Sequence, residues 1–62
     1  MKGILLIDHG SRRAEANAML ACMAHLVQHM VRDTAIVRYA HMEIAEPSIA
    51  RGFADCVAGG AD

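Results

Sequence analysis

The sequence lacks the features that mark secreted, membrane-spanning and nucleic-acid-binding proteins. Its two cysteines can form at most one disulfide, which excludes a small domain held together by a disulfide framework. The apolar run Ile4–Ile7 is far too short to span a bilayer, and after a single Lys2 it does not form a secretory signal. A formal net charge of −1 argues against a general nucleic-acid binder and against an electrostatic membrane anchor. We therefore expect a cytoplasmic protein.

The chain is also short, with 62 residues and only two aromatic side chains, Tyr39 and Phe53. A domain of this size buries only about 60% of the surface that its unfolded chain exposes. Cys22 and Cys56 fall where helical patterns place buried or half-buried residues, so reduced core thiols are favoured over a disulfide or a metal site. Because hydrophobic residues make up 55% of the chain, we expect a poorly stable fold that needs a partner to cover its apolar surface.

Four elements are predicted, in the order β-α-β-α. The continuous apolar run at the start is typical of a strand that is buried on both faces of a parallel sheet. Gly10 allows a turn after it, and Ser11 is predicted to be the N-cap of the first helix. Pro47 is predicted at the first position of the second helix, where its missing N–H costs nothing. The predicted ranges are about 2–8 and 34–42 for the strands, and about 12–32 and 47–58 for the helices.

Each predicted helix has an apolar stripe that we expect to face the sheet. The first stripe consists of Ala16, Met19, Leu20, Met23, Val27, Met30 and Val31, and the second of Ile49, Phe53 and Val57. A strand, a crossover helix and a parallel strand form a right-handed unit, so the predicted class is α/β. Two strands and two helices leave much of a sheet uncovered. We therefore expect residues 1–62 to be a single partial domain, either a fragment or a chain that another chain completes.

Polar residues that can carry chemistry follow both strands. Ligands bind at the carboxyl ends of strands in open α/β sheets, and neighbouring parallel strands would bring His9 and Glu43 to one edge. An imidazole and a carboxylate at one mouth can bind a divalent metal or accept protons. The alternative, which the spacing alone leaves equally open, is that His9 caps a turn and Glu43 is solvated.

Two arginines follow the first of these strands. Arg12 and Arg13 lie in the predicted first turn of a helix, where the helix dipole disfavours cations. Their placement would be explained by an anionic ligand that docks there. The alternative is a pair of solvated arginines, which is common on protein surfaces.

Three further histidines are candidate metal ligands. His25 and His29 are four residues apart on a helix and could reach one ion, but without a third ligand such a pair is usually surface histidine. His41 lies two residues before Glu43 and could be a third ligand, a neighbour of the substrate or a packing residue. The sequence leaves these roles of His41 open.

Two stretches of the chain resemble the small CbiX/SirB-type sirohydrochlorin chelatases, which are class II tetrapyrrole chelatases. The stretches are Gly-Ile-Leu-Leu-Ile-Asp-His-Gly-Ser-Arg at 3–12 and His-Met-Glu-Ile-Ala-Glu-Pro-Ser-Ile at 41–49. The resemblance runs over nearly the whole chain and includes the element order. It implies that the chain is the N-terminal half of a flavodoxin-like, three-layer parallel-sheet fold.

The resemblance also implies a function. These lyases insert Co²⁺, or in relatives Fe²⁺ or Ni²⁺, into sirohydrochlorin without ATP or another nucleotide, in cobalamin or sirohaem biosynthesis. By the resemblance, His9 is a metal ligand and base, and Glu43 assists it. Ser11, Arg12 and Arg13 would bind carboxylates of the tetrapyrrole, since a helix N-terminus and guanidinium groups suit anions. The substrate metal is expected to be Co²⁺.

One departure from the family puts the activity of the isolated chain in doubt. The family has a second active-site histidine after its third strand, and residues 1–62 contain no matching position. Its smallest members are homodimers, and a homodimer would cover the bare sheet without restoring that histidine. The open alternative is a non-catalytic metal- or tetrapyrrole-binding fragment. A histidine phosphatase is disfavoured, because Asp8 stands where that chemistry needs an arginine to hold phosphate.

Overall fold

The computed structural model describes all 62 residues and has the predicted order of elements. They are β1 (Lys2–Asp8), α1 (Ala14–Val31), β2 (Ala35–His41) and α2 (Ile49–Ala58). The two strands pair in parallel, with Lys2 opposite Ala35 and Asp8 opposite His41. The α/β class and the β-α-β-α half of a chelatase-like fold are therefore confirmed. Neither helix combines the length and the apolar composition that crossing a membrane would require.

The helices pack on opposite faces of the two-stranded sheet. Side chains alternate between the faces along a strand, so Val37 and Ala40 of β2 point in opposite directions. The α1 side chain of Gln28 bonds the backbone of Val37, whereas Gly52 of α2 lies against Ala40. The two helices make no contact with each other. The sheet is thus the middle of three layers.

The first helix begins later than predicted, and Ser11 is not its N-cap. The N-cap is Arg13, without a side-chain cap. Ser11 instead forms a tight turn, in which its Oγ accepts a hydrogen bond from the Arg13 N–H at 3.1 Å. The Asn17 side chain bonds the N–H and the carbonyl of Ser11, at 2.9 and 2.6 Å. These bonds hold the backbone of Ser11 away from the helix, which explains the shorter range.

The second helix also begins after its predicted start. Ser48 is the N-cap, and its side chain accepts a hydrogen bond from the Arg51 N–H at 3.2 Å. Pro47 precedes the helix, because its carbonyl accepts a hydrogen bond from the His41 N–H at 2.8 Å. That bond ties the segment before α2 to the end of β2.

The core is small and uses only Leu20 of the predicted stripes. The buried residues are Leu20, Ala24, Ala35, Val37, Ala40, His41, Gly52 and Cys56. The second stripe was wrong in orientation and the first was right only in part, since Leu20 is buried while Met23 and Phe53 are 55% and 66% exposed. The reason in α2 is close packing of small residues: a Cβ on Gly52 would lie 2.9 Å from the Ala40 Cβ. The remaining residues of those stripes that are exposed are Met19, Met30, Ile49 and Val57.

The two cysteines differ in their environment. Both are reduced, as predicted, but only Cys56 is buried, whereas Cys22 is exposed. The prediction of a buried or half-buried Cys22 is therefore wrong. Its helix turns Leu20 and Ala24 toward the sheet instead.

The outer edge of β2 is covered by the chain itself. The Gln28 side chain accepts a hydrogen bond from the Val37 N–H at 2.8 Å and donates one to the Ala35 carbonyl at 2.9 Å. Further along the same edge, the Pro47 carbonyl takes the His41 N–H. Covered edges do not pair readily with strands of other chains.

Candidate functional site

The candidate site lies at the carboxyl ends of the two strands. The pairing continues beyond Asp8 and His41, since the Met42 N–H donates to the Asp8 carbonyl at 2.8 Å. The Glu43 N–H then donates to the His9 carbonyl at 3.2 Å. These bonds bring His9 and Glu43 to the same edge of the sheet, as the spacing predicts. Their role as metal ligands stays a prediction.

The side chains of His9 and Glu43 are exposed to solvent. No group of three or more histidine, cysteine or carboxylate side chains is arranged to hold a metal ion. The cavities of the molecule lie elsewhere, and none is lined by either residue. The site is therefore an open edge with two candidate metal ligands and not an enclosed pocket.

Gly10 brings the loops after the two strands into direct contact. Its φ of +92° lies in the left-handed region that side-chain-bearing residues rarely adopt. A Cβ at this position would lie 1.9 Å from the Glu43 carbonyl oxygen and 3.4 Å from the His41 Cβ. Only glycine allows the His9 loop to approach Glu43 this closely.

Asp8 and His41 form a pair beneath these loops. The His41 Nδ1 lies 2.5 Å from Oδ1 of Asp8, and the same oxygen accepts the Gly10 N–H at 3.0 Å. The His41 side chain is 1% exposed, and its ring meets the Tyr39 ring edge-on at 6.0 Å between centroids. Since a carboxylate only accepts hydrogen bonds, Nδ1 carries the proton of this bond.

This pair shows the environment of His41. It also adds Asp8 to the site, which the sequence reasoning missed. His41 is a buried, hydrogen-bonded side chain of the sheet, which is the packing alternative among those left open. In the sequence alone, the only feature of Asp8 that bears on function is its repulsion of phosphate. The strand ends could have revealed this pair, because the last residues of two paired parallel strands of equal length lie opposite each other.

The candidates for anion binding lie two to four residues after His9 in the sequence. Arg12 and Arg13 are exposed, and neither forms an ion pair within the chain. Ser11 is half-buried, and its hydroxyl accepts the Arg13 N–H. Both guanidinium groups thus lack a carboxylate partner in the protein. Binding of substrate carboxylates by these three residues stays a prediction.

The remaining histidines do not join the site. His25 and His29 are exposed on α1 and have no third ligand near them. They line a shallow surface depression together with Gln28 and Arg32. The structure therefore favours their interpretation as surface histidines.

Comparison with known proteins places the chain in a family. The model of the CbiX family matches residues 3–62. The chain is 48% identical over 59 residues to a protein of Arabidopsis thaliana named sirohydrochlorin ferrochelatase, chloroplastic. The alignment covers 95% of this chain and 26% of that relative, so the chain spans about a quarter of the relative's length. With the fold and both strand-end motifs included in the match, the chain belongs to the CbiX family.

Proposed function

We propose that this chain contributes to the insertion of a divalent metal into sirohydrochlorin. The observation that carries the proposal is the backbone pairing of His9 with Glu43 at the carboxyl edge of the sheet. It supports the proposal because this edge, the carboxyl end of the strands, is where α/β sheets bind their ligands.

The chemistry of insertion suits these two side chains. The ion must pass from protein ligands to ring nitrogens while the N–H protons that it replaces leave the ring. An imidazole binds such ions and also releases them, and a carboxylate can accept a proton. His9 would hold the incoming ion, and Glu43 would share it and take up protons from the ring.

The substrate would be held through its carboxylates. Arg12 and Arg13 follow His9 closely and have no carboxylate partner of their own. Guanidinium groups bind carboxylates in a two-pronged geometry. The Ser11 hydroxyl is the third predicted contact.

The metal and the compartment require separate tests. Co²⁺ was predicted from the resemblance, but the Arabidopsis relative is named a ferrochelatase, which favours Fe²⁺ and sirohaem. That name also includes the word chloroplastic, so a cytoplasmic location stays a prediction for this chain. A homodimer likewise stays a prediction.

The experiment measures metal insertion and metal binding on the same samples. Sirohydrochlorin is incubated anaerobically with the chain and Fe²⁺, Co²⁺ or Ni²⁺, and the absorbance change on insertion is followed. We expect His9→Ala to abolish metal binding and insertion, and Glu43→Ala to weaken both. His25→Ala, which removes an exposed histidine outside the site, is the matched control. A His9→Ala variant with unchanged metal affinity and unchanged insertion would refute the site.

A second candidate function is metal or tetrapyrrole binding without catalysis. It is favoured by the two-donor edge, which has no third ligand and no enclosing cavity. This function predicts that His9-dependent binding persists while insertion runs no faster than in the protein-free control. The same experiment therefore separates the two.

A further inference from the structure

We infer that Asp8 and His41 are positioning residues, which hold the His9 loop against the Glu43 segment and so set the spacing between the two proposed metal donors. This inference rests on the proposed function of His9 and Glu43. It assigns no contact with the metal or the substrate to Asp8 or His41.

The first step is that one carboxylate oxygen joins two segments of the chain. Oδ1 of Asp8 accepts the Gly10 N–H at 3.0 Å and also binds His41 Nδ1 at 2.5 Å. Gly10 belongs to the loop that carries His9, whereas His41 belongs to the strand that leads to Glu43. A carboxylate accepts stronger hydrogen bonds than a neutral oxygen does, so this junction is firmer than an ordinary turn.

The second step is that burial, a backbone bond and an aromatic contact all hold His41 in place. Its side chain is 1% exposed, its backbone N–H is bonded to the Pro47 carbonyl, and its ring meets that of Tyr39. A buried imidazole is costly unless it is hydrogen-bonded, and the Asp8 carboxylate is the only side chain that bonds it. His41 therefore anchors Asp8, and Asp8 anchors the Gly10 N–H.

The third step connects this anchor to the donors. Gly10 lies so close to the Glu43 carbonyl that a shift of one loop must move the other. The Glu43 N–H is bonded to the His9 carbonyl within the same contact. Asp8, Gly10 and Glu43 thus form one connected unit, with His9 between the first two in sequence.

The fourth step asks why a polar pair occupies this position. Replacing a buried ion pair or polar pair by apolar residues of similar size is often neutral or stabilising, so stability alone does not require it. An apolar side chain at position 41 would fill the space but would not direct the Asp8 carboxylate. What the pair supplies is a fixed orientation of the loop that carries His9.

The test compares variants that remove the hydrogen bonds with variants that keep them. His41→Leu and Asp8→Ala remove the junction. His41→Asn retains a donor near the position of Nδ1, and Asp8→Asn retains an acceptor at Oδ1. His25→Leu is the control, because it makes the same exchange at an exposed histidine of α1.

Two measurements are made on each variant. Co²⁺ is titrated and followed by its visible absorption, which reports affinity and ligand geometry. In the metal-free chain, hydrogen exchange of the Gly10 and Glu43 amides is compared with exchange of the Gly52 amide, which is bonded to the Ser48 carbonyl at the start of α2. The ratio of the Gly10 and Glu43 exchange rates to the Gly52 rate distinguishes loosening of the loops from a general loss of stability.

We expect His41→Leu and Asp8→Ala to weaken Co²⁺ binding by about tenfold or more, as loss of a supporting partner does in metal sites. Gly10 and Glu43 should exchange faster relative to Gly52. His41→Asn and Asp8→Asn should recover most of the affinity and the wild-type Co²⁺ spectrum. The double variant Asp8→Ala/His41→Leu should bind Co²⁺ no more weakly than the single variant with the lower affinity, because both changes break the same junction.

Two results would overturn the inference. One is unchanged affinity and unchanged exchange ratios in His41→Leu and Asp8→Ala. The other is an equal loss of Co²⁺ affinity in all four variants, together with exchange at Gly52 that speeds up as much as exchange at Gly10 and Glu43. That result would indicate a merely structural role. If the wild-type chain shows no His9-dependent Co²⁺ binding, the proposed function fails. The exchange ratios, measured without metal, then still decide whether Asp8 and His41 hold the loops together.

Discussion

Gly10→Ala is the substitution whose effect the geometry defines best. The new Cβ would lie 1.9 Å from the Glu43 carbonyl oxygen, and real Cβ contacts essentially never fall below 3.0 Å. One of the two loops must therefore retreat by at least the 1.1 Å between these values. The obstacle is backbone, so no side-chain rotation relieves it. The His9 loop and the Glu43 segment must separate.

The cost can be worked out from the bonds in this contact. Alanine at a left-handed φ costs about 1–2 kcal/mol. Separation also weakens the bond from the Glu43 N–H to the His9 carbonyl and the bond from the Met42 N–H to the Asp8 carbonyl. At about 1 kcal/mol for each hydrogen bond, we expect a total loss of about 3–4 kcal/mol.

Gly60→Ala is the matched control for this experiment. Gly60 has a φ of +113°, and a Cβ there would meet nothing within 4 Å. It should therefore cost only the backbone strain of about 1–2 kcal/mol. The difference between the two variants, about 2 kcal/mol, isolates the contact between the loops.

The free energy of unfolding is measured by urea titration with circular dichroism, in trimethylamine N-oxide because so small a core predicts low stability. Metal affinity is measured beside it. Metal–ligand distances vary by only about 0.2 Å, so a retreat of a loop should weaken binding by about tenfold or more. Equal losses of stability in Gly10→Ala and Gly60→Ala, with wild-type metal affinity in both, would refute the reasoning.

Gln28→Met should lower the free energy of unfolding by about 2–3 kcal/mol, since it removes the side-chain bonds that cover the β2 edge, including the one from the Val37 N–H. Size-exclusion chromatography should also show larger species, because an uncovered edge pairs with other strands. His29→Met, an exposed change on the same helix, should do neither. A thiol reagent should label Cys22 in the native chain and Cys56 only after unfolding. Equal labelling rates in native buffer would contradict the packing of α2 on the sheet.

Local patterns in the sequence were sufficient to predict the order of elements. The apolar run of β1 and the β-branched residues of β2 have few alternatives to a strand, and parallel strands joined by a helix follow a handedness rule. The same reasoning predicted that His9 and Glu43 share an edge, because both residues follow strands that pair in parallel. The helix starts were less well predicted, since Ser11 and Pro47 are bonded to Asn17 and His41.

The helix faces could not be predicted from periodicity. Met23 and Phe53 belong to regular apolar stripes, yet both are exposed, while Ala24 and Gly52 face the sheet. A stripe of large residues and a stripe of small ones both repeat with the period of the helix. The choice depends on how closely the helix approaches the sheet. Here Gly52 and Ala40 allow an approach that a larger side chain would prevent.

The sequence therefore determined the class of the fold and the edge at which the two strand-end motifs meet, because these depend on the order and spacing of residues. Tertiary structure decided what holds that edge together. The Asp8–His41 bond, the contact of Gly10 with Glu43 and the covering of β2 by Gln28 each join residues that are distant in the chain or on different elements. Such bonds depend on register and on the distance between backbones, which no local pattern contains.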